Sequence, residues 1–138
     1  MRFGHYWDHW ECGFRYSRPM SSWSTLHSIL GLAVDLPGKS LTLRPTVPYT
    51  DATPLAVPLC TPNGLGQVRF TASECIIACT EGTFTLSTLH LPHGNWIAVN
   101  VDGKAVDATI ASEQNGVRIV FVEELSVGAG GKLTISVN

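Results

Sequence analysis

Residue types suited to metal chemistry occur near the start of the chain, where His5 and His9 lie four positions apart and Cys12 follows them. Imidazole and thiolate are ordinary zinc ligands, and two histidines four apart share one face of a helix. A zinc site needs four ligands, or three around an open position, and no further residue in the sequence completes this set. The sequence therefore predicts no metal here, and it indicates no other cofactor.

A pair of carboxyl groups that could serve as acid and base is not evident in the sequence. Asp8 and Glu11 are the only acidic residues in the aromatic-rich first 23 positions, and at a separation of three they usually project to one side. The other acidic residues fall in expected turns, at strand ends or near the carboxyl terminus, where solvated charge is the simplest interpretation. From spacing alone, Glu11 and Arg18 are best explained as an ion pair at the start of a helix. We identify no catalytic pair.

Composition limits the classes of partner. The 138 residues include nine Lys and Arg against eleven Asp and Glu, and a chain so close to neutral offers no basic surface for nucleic acid. No apolar run approaches the roughly 18 residues of a transmembrane helix, and the first residues lack the apolar centre of a signal peptide. We expect no nucleic-acid partner and no membrane span, with the cytoplasm as the default location.

The elements that position these residues begin with one helix, predicted over residues 19–30. Pro19 suits its first turn, where the missing N–H would have no partner. Apolar side chains recur along one face, at Met20, Trp23, Leu26 and Leu30. Gly31 can supply the left-handed residue that ends a helix.

The remainder of the sequence is typical of β structure. A hairpin is predicted over residues 32–43, with Pro37-Gly38 in a type II turn, and the proline-rich stretch 46–54 cannot continue a central strand. Further strands are predicted at residues 55–60, 67–71, 75–79, 83–91, 96–101, 105–111, 117–122 and 133–137. Asp102-Gly103 and Asn115-Gly116 suit hairpin turns with positive φ. The fold class predicted is mainly β, an antiparallel sandwich or meander preceded by one α-helix.

The four cysteines are Cys12, Cys60, Cys75 and Cys79. Cys75 and Cys79 lie four apart in a predicted strand, so both face the same side. Buried free thiols are the favoured interpretation of the set.

Residues 10–23, with the sequence WECGFRYSRPMSSW, resemble the last part of the catalytic domain of glycoside hydrolase family 116, the β-glucosidases and non-lysosomal glucosylceramidases. Three features are similar: the run Glu11-Cys12-Gly13, the step from Tyr16 to Arg18, and the small residues before Trp23. The segments 31–35 and 39–43 also look like the hairpin that follows in that family. The resemblance is specific over residues 7–45, weaker at 66–68 and 82–86, and loose after residue 90.

The resemblance implies that the helix is the last of an (α/α)6 barrel of twelve helices. Residues 1–45 would then be the end of a catalytic domain, 46–54 a linker and 55–138 a β-sandwich-like region. By the same resemblance, Glu11 and Arg18 would hydrogen-bond sugar hydroxyls, and Trp10 and Tyr16 would form walls of the pocket. A carboxylate accepts from neighbouring hydroxyls, and a guanidinium presents a rigid fork of donors.

The family's catalytic carboxylates lie in earlier segments that this sequence does not contain. The resemblance therefore implies a C-terminal fragment or subunit of a β-glucosidase or glucosylceramidase, inactive alone. Its partners would be the remainder of the catalytic domain and, in the complete enzyme, a β-glucoside or glucosyl-lipid substrate. The alternative is a freestanding β-sandwich module that binds carbohydrate or protein and has no catalytic activity.

Overall fold

The computed structural model describes the backbone of residues 20–137 and, within the helix, side chains from residue 24 onward. Over this range one helix, α1 (Met20–Leu30), precedes ten strands. The strands are β1 (Ala33–Asp35), β2 (Ser40–Thr42), β3 (Leu55–Thr61), β4 (Gly64–Phe70), β5 (Glu74–Leu91), β6 (Trp96–Val101), β7 (Lys104–Ala105), β8 (Ala108–Glu113), β9 (Gly116–Gly128) and β10 (Lys132–Val137). The prediction of a mainly β fold after one helix is confirmed, and no helix in this range is long and apolar enough to cross a membrane.

The long strand β5 belongs to two sheets. Its first half lies between β4 and β10 in a sheet with the order β3-β4-β5-β10-β6-β7. Its second half lies between β2 and β9 in a sheet with the order β1-β2-β5-β9-β8. All of these pairs are antiparallel except β2 with β5, which run parallel. The expectation of a purely antiparallel fold is wrong for that pair, because β3 and β4 form the long crossover that parallel neighbours require.

β5 is one strand where the sequence predicted two, at 75–79 and 83–91. Thr80, Glu81 and Gly82 appear in the sequence as a break between strands. In the structure the chain continues through them, with Gly82 at a φ of +71° and a bulge in the pairing with β4. Strands bend at such bulges, and here the bend coincides with the transfer of β5 from one sheet to the other.

The end of α1 agrees with the sequence prediction. Gly31 has a φ of +55° and donates its N–H to Ser28 O at 3.3 Å, while Leu32 donates to His27 O at 2.9 Å. These two bonds are those of a Schellman motif. A Cβ on Gly31 would lie 2.0 Å from Arg44 O, so this position requires glycine for space as well as for φ.

The first hairpin is confirmed, but its turn is not of type II. The positive φ belongs to Lys39, at 48°, and not to Gly38. Lys39 donates its N–H to Leu36 O at 3.1 Å. Gly38 donates its N–H to Asp35 Oδ1 at 3.0 Å, and a Cβ there would lie 2.2 Å from Asp35 Oδ2. Glycine therefore allows the Asp35 carboxylate to approach this closely.

The two other predicted hairpin turns differ in outcome. Asp102 and Gly103 both have positive φ, at 51° and 80°, as predicted. In the second turn the unpaired residues are Gln114 and Asn115, and only Gly116 has a positive φ, at 145°. The turn therefore lies one residue earlier in the sequence than predicted, and Asn115 does not have the predicted positive φ.

Buried apolar side chains from both sheets form one core cluster that also contains Leu30 of α1. Cys75 and Cys79 lie in this cluster as free thiols, as predicted. Cys60 is also free but exposed, because it occupies an outward-facing position on β3, and the prediction of burial is wrong for this residue.

The proline-rich segment 46–54 is neither helix nor strand, and it lies against the rest of the described chain. Thr46 donates its N–H to Ile29 O at 3.0 Å. The Tyr49 ring contacts Phe70, with 5.3 Å between ring centroids. Asp51 Oδ1 accepts from the Ser73 hydroxyl at 2.9 Å. The division of the chain into domains at this segment stays a prediction.

Candidate functional site

The sugar-binding residues predicted through the family resemblance are Trp10, Glu11, Tyr16 and Arg18. All four lie outside residues 20–137, so their positions are not described. Arg18 precedes the first residue of α1 by two positions. Their proposed roles stay predictions.

One candidate surface lies beside α1. An apolar groove of about 390 Å³, the helix groove, is lined by Leu26, His27, Leu32, Pro58 and Cys60. Residues 24–28 of the helix are exposed, and the Leu26 side chain remains 41% exposed. The predicted apolar face of α1 is therefore covered at Leu30 but not at Leu26.

A second candidate is an interruption in the pairing of β5. Thr83 donates its N–H to Asn63 O at 2.9 Å, at the end of the β3–β4 hairpin. Ser87 donates its N–H to Lys39 O at 2.8 Å, at the end of the turn before β2. Between these contacts no strand of the described chain pairs with this side of β5. We call this interruption the β5 gap.

The β5 gap opens into a cavity of about 300 Å³. Five strands and two turns contribute to it, and the starts of β4 and β2 lie on either side. The lining residues are Val34, Asp35, Leu36, Lys39, Ser40, Leu41, Thr61, Asn63, Thr83, Phe84, Thr85, Leu86 and Glu124. Hydroxyl, amide and charged groups thus share the cavity with an apolar floor.

Three glycines allow the β3–β4 hairpin to form one wall of this cavity. A Cβ on Gly64 would lie 2.9 Å from the Phe84 ring, and one on Gly66 would lie 2.0 Å from Ala78 O. Gly82, at its positive φ, passes so close to Asn63 O that a Cβ would lie 2.2 Å away. The hairpin is therefore held against β5 and fixes Asn63 at the edge of the gap.

The charges at the β5 gap are largely compensated by protein groups. Lys39 forms an ion pair with Glu124, which joins the first hairpin to β9. The Asp35 carboxylate accepts the Gly38 N–H. Together the three side chains carry one net negative charge.

A separate ionic cluster surrounds Glu113. Its Oε2 lies 3.1 Å from His90 Nδ1 and 3.7 Å from Arg44 Nη2, and its Oε1 lies 3.3 Å from Arg118 Nε. Arg44 Nε is buried and makes no hydrogen bond within the described structure. These contacts join the segment after β2 to β5, β8 and β9, which is a structural role.

The groups with a clearly shifted pKa lie near the start of β5, away from the gap. Hydrogen bonds from the Ser73 and Thr71 side chains lower the pKa of the Asp51 carboxyl. Burial, and then the nearby Cys75, raise the pKa of Tyr49. Burial, with a smaller effect of Glu74, raises the pKa of the Cys75 thiol. A buried thiol of this kind is inert, so these shifts indicate turn and core packing.

Six of the nine described carboxylates are engaged by other protein groups. Asp35, Asp51, Glu74, Asp102, Glu113 and Glu124 each contact a backbone amide, a hydroxyl or a cationic side chain. Across residues 20–137, no three or more His, Cys, Asp or Glu side chains are grouped as a metal site would require.

The chain was compared with models of known protein families and with curated proteins, and nothing in either set matches it.

Proposed function

We propose that this chain is the C-terminal part of a glycoside hydrolase that resembles family 116, a β-glucosidase or glucosylceramidase. In the complete enzyme Glu11 and Arg18 bind sugar hydroxyls, Trp10 and Tyr16 form walls of the pocket, and α1 is the last helix of an (α/α)6 barrel. The catalytic carboxylates come from the remainder of the catalytic domain.

The exposed side of α1 is the observation that carries this proposal. The helix contacts the β core through Ile29 and Leu30 at its end, while residues 24–28 are exposed and Leu26 borders the helix groove. Leu26 is the apolar residue among these five, and with Leu32 and Pro58 it makes the groove apolar; exposed apolar grooves commonly mark a contact with another protein surface. A barrel of helices would cover it and would place the segment before Met20 at the cleft.

The reaction itself explains why the chain is expected to be inactive alone. Glycoside hydrolysis takes two carboxyl groups on opposite sides of the anomeric carbon, about 5 Å apart in retaining enzymes and ~6.5–9.5 Å apart in inverting ones. Glu11 and Arg18 instead form hydrogen bonds to hydroxyls. Such bonds orient the sugar, and they support hydrolysis only when the two catalytic carboxyl groups are present as well.

The proposal is tested by expressing the chain with and without the coding sequence that directly precedes it. Hydrolysis of 4-nitrophenyl β-D-glucopyranoside is expected only when that segment is included. Glu11→Gln is expected to lower kcat/KM about tenfold or more, because a hydrogen bond to a charged group is lost. Turnover by the present chain alone would contradict the proposal.

A further inference from the structure

We propose that the β5 gap is a binding site for a small uncharged polyhydroxylated ligand, a mono- or disaccharide. The site consists of the backbone edge at Thr85, with which no described strand pairs on this side, the Asn63 amide, the hydroxyls of Ser40, Thr83 and Thr85, and Lys39. It does not depend on the function proposed above, because every one of these residues lies in the described β region.

The backbone of Thr85 supplies a donor and an acceptor that face the gap. In a strand, alternate residues direct their N–H and C=O groups to the same side. Thr83 donates toward the side of Asn63, and the pairing with β9 keeps one register from Thr83 to Leu86, so Thr85 directs its N–H and C=O to that side as well. No described strand pairs with it there.

The side chains around Thr85 are also available to a ligand. In the part of the chain that the structure describes, the hydroxyls of Ser40, Thr83 and Thr85 and the Asn63 amide make no hydrogen bond to another protein group. A hydroxyl and an amide each donate and accept. The cavity thus offers several groups of both kinds within one concave surface, which is typical of ligand sites.

The charge of the site favours an uncharged ligand. Lys39 is already paired with Glu124, and the lining has one net negative charge, so a phosphate or carboxylate would be repelled. Val34 and Leu36 are exposed at the same cavity, 36% and 43% respectively. A sugar matches both features, since its hydroxyls donate and accept while its C–H groups pack on apolar side chains.

The closed ends of the gap favour a compact ligand over an extended peptide strand. Thr83 and Ser87 are separated by about 13 Å of strand, and the contacts with Asn63 O and Lys39 O close both ends. A peptide paired along β5 would have to displace one of them, whereas a sugar ring or a disaccharide fits between them.

The test is a titration of the full, isotope-labelled chain with cellobiose, followed through its backbone amide resonances. Maltose is the second probe, and glucose 6-phosphate is the anionic probe. We expect cellobiose or maltose to shift the amides of Asn63, Thr83, Thr85 and Ser87 in a saturable manner, and to slow hydrogen exchange at Thr85. Glucose 6-phosphate should bind more weakly than either sugar.

Two variants probe the site, and two serve as controls. Thr85→Val and Lys39→Met should each weaken sugar binding about three- to tenfold, because each removes a hydrogen-bonding group. Thr109→Val is the same Thr-to-Val substitution at an exposed position on β8, and it should leave the affinity for sugar unchanged. Cys60→Ala changes an exposed residue of the helix groove and should also leave the affinity unchanged, which separates this site from that groove.

Four results would overturn the inference. They are the absence of shifts at residues 83–87 with both sugars, equal losses in Thr85→Val and Thr109→Val, loss of the shifts in Cys60→Ala, and tighter binding of glucose 6-phosphate. Each variant's amide spectrum shows whether it is folded, so a loss of binding in a folded variant can be assigned to the site.

Discussion

Thr83 and Ser87 lie on the same side of β5, four residues apart, and each donates its backbone N–H to the end of a different hairpin. The acceptors, Asn63 O and Lys39 O, directly precede β4 and β2, and neither of these strands pairs with β5 between the two contacts. The interval between the two contacts is the opening through which solvent reaches the sheet edge at Thr85.

This relationship predicts a specific pattern of hydrogen exchange. Without ligand, the Thr85 amide should exchange faster than those of Thr83 and Ser87, because its neighbours are protected by hydrogen bonds and it faces the gap. Residue-resolved exchange by NMR measures the three rates. Equal protection at all three positions would mean that an unrecognised partner covers Thr85.

The close approach of β4 to β5 predicts a large effect at Gly66. Gly66→Ala would place a Cβ 2.0 Å from Ala78 O and 3.0 Å from the Phe84 ring, and should lower the free energy of unfolding by about 1–3 kcal/mol. Gly128→Ala is the matched control, since no atom lies within 4 Å of its Cβ. That variant should be as stable as the parent or up to about 1 kcal/mol more stable. Denaturant unfolding of both variants tests the difference, and equal stabilities would contradict the packing.

Alkaline pH should destabilise the protein through Cys75. Its pKa is raised in the folded state by burial and by Glu74, so the folded protein holds the proton more tightly than the unfolded chain. The stability from this linkage is present below the thiol pKa of the unfolded chain, about 8.5, and is lost as the pH rises above it. Tyr49 contributes in the same direction at higher pH, since its pKa is also raised.

Cys75→Ala should therefore reduce the fall in unfolding free energy between neutral and alkaline pH, whatever its effect at neutral pH. Cys60→Ala removes an exposed thiol. Its unfolding free energy should fall with rising pH as steeply as that of the parent protein. Denaturant titrations at a series of pH values give these slopes. A Cys75→Ala slope as steep as that of the parent would show that another group is responsible.

Because the helix groove is exposed, we expect the isolated chain to self-associate or to bind a hydrophobic dye. Leu26→Gln should reduce both, because Leu26 is 41% exposed at this groove and exposed apolar patches promote association. Ile97→Gln is the control, since Ile97 is 58% exposed on β6 and does not line the groove. Size-exclusion chromatography and fluorescence of a hydrophobic dye measure the effect. If the chain is monomeric and binds no dye, the interpretation of the helix groove as an uncovered contact surface is wrong.

Local features of this fold were predictable from the sequence where they depend on neighbouring residues. Gly31 ends α1, and the Asp102-Gly103 turn has two positive φ values, because glycine and aspartate adopt them at low cost. The continuity of β5 was not predictable in this way. Glu81 and Gly82 are poor strand formers in isolation, and their pairing with Leu65 and Gly64 of β4, beside a bulge, keeps them in the strand.

The two candidate sites also differ in whether a local sequence pattern indicates them. The predicted sugar contacts at Glu11 and Arg18 come from a motif, and they lie outside the described residues. No short sequence pattern indicates the β5 gap, because only the arrangement of the sheets brings Lys39, Asn63 and Glu124 together. The long separation of Lys39 from Glu124 in sequence illustrates why spacing alone could not identify this site.

The central proposal is that this chain binds sugar within a glycosidase whose catalytic carboxylates lie elsewhere. The most direct measurement is hydrolysis of 4-nitrophenyl β-D-glucopyranoside by the purified chain and by the chain joined to the segment encoded before it. We expect turnover only in the joined protein, with kcat/KM reduced by Glu11→Gln. Turnover by the chain alone, abolished by replacing one of its own carboxylates, would contradict the claim.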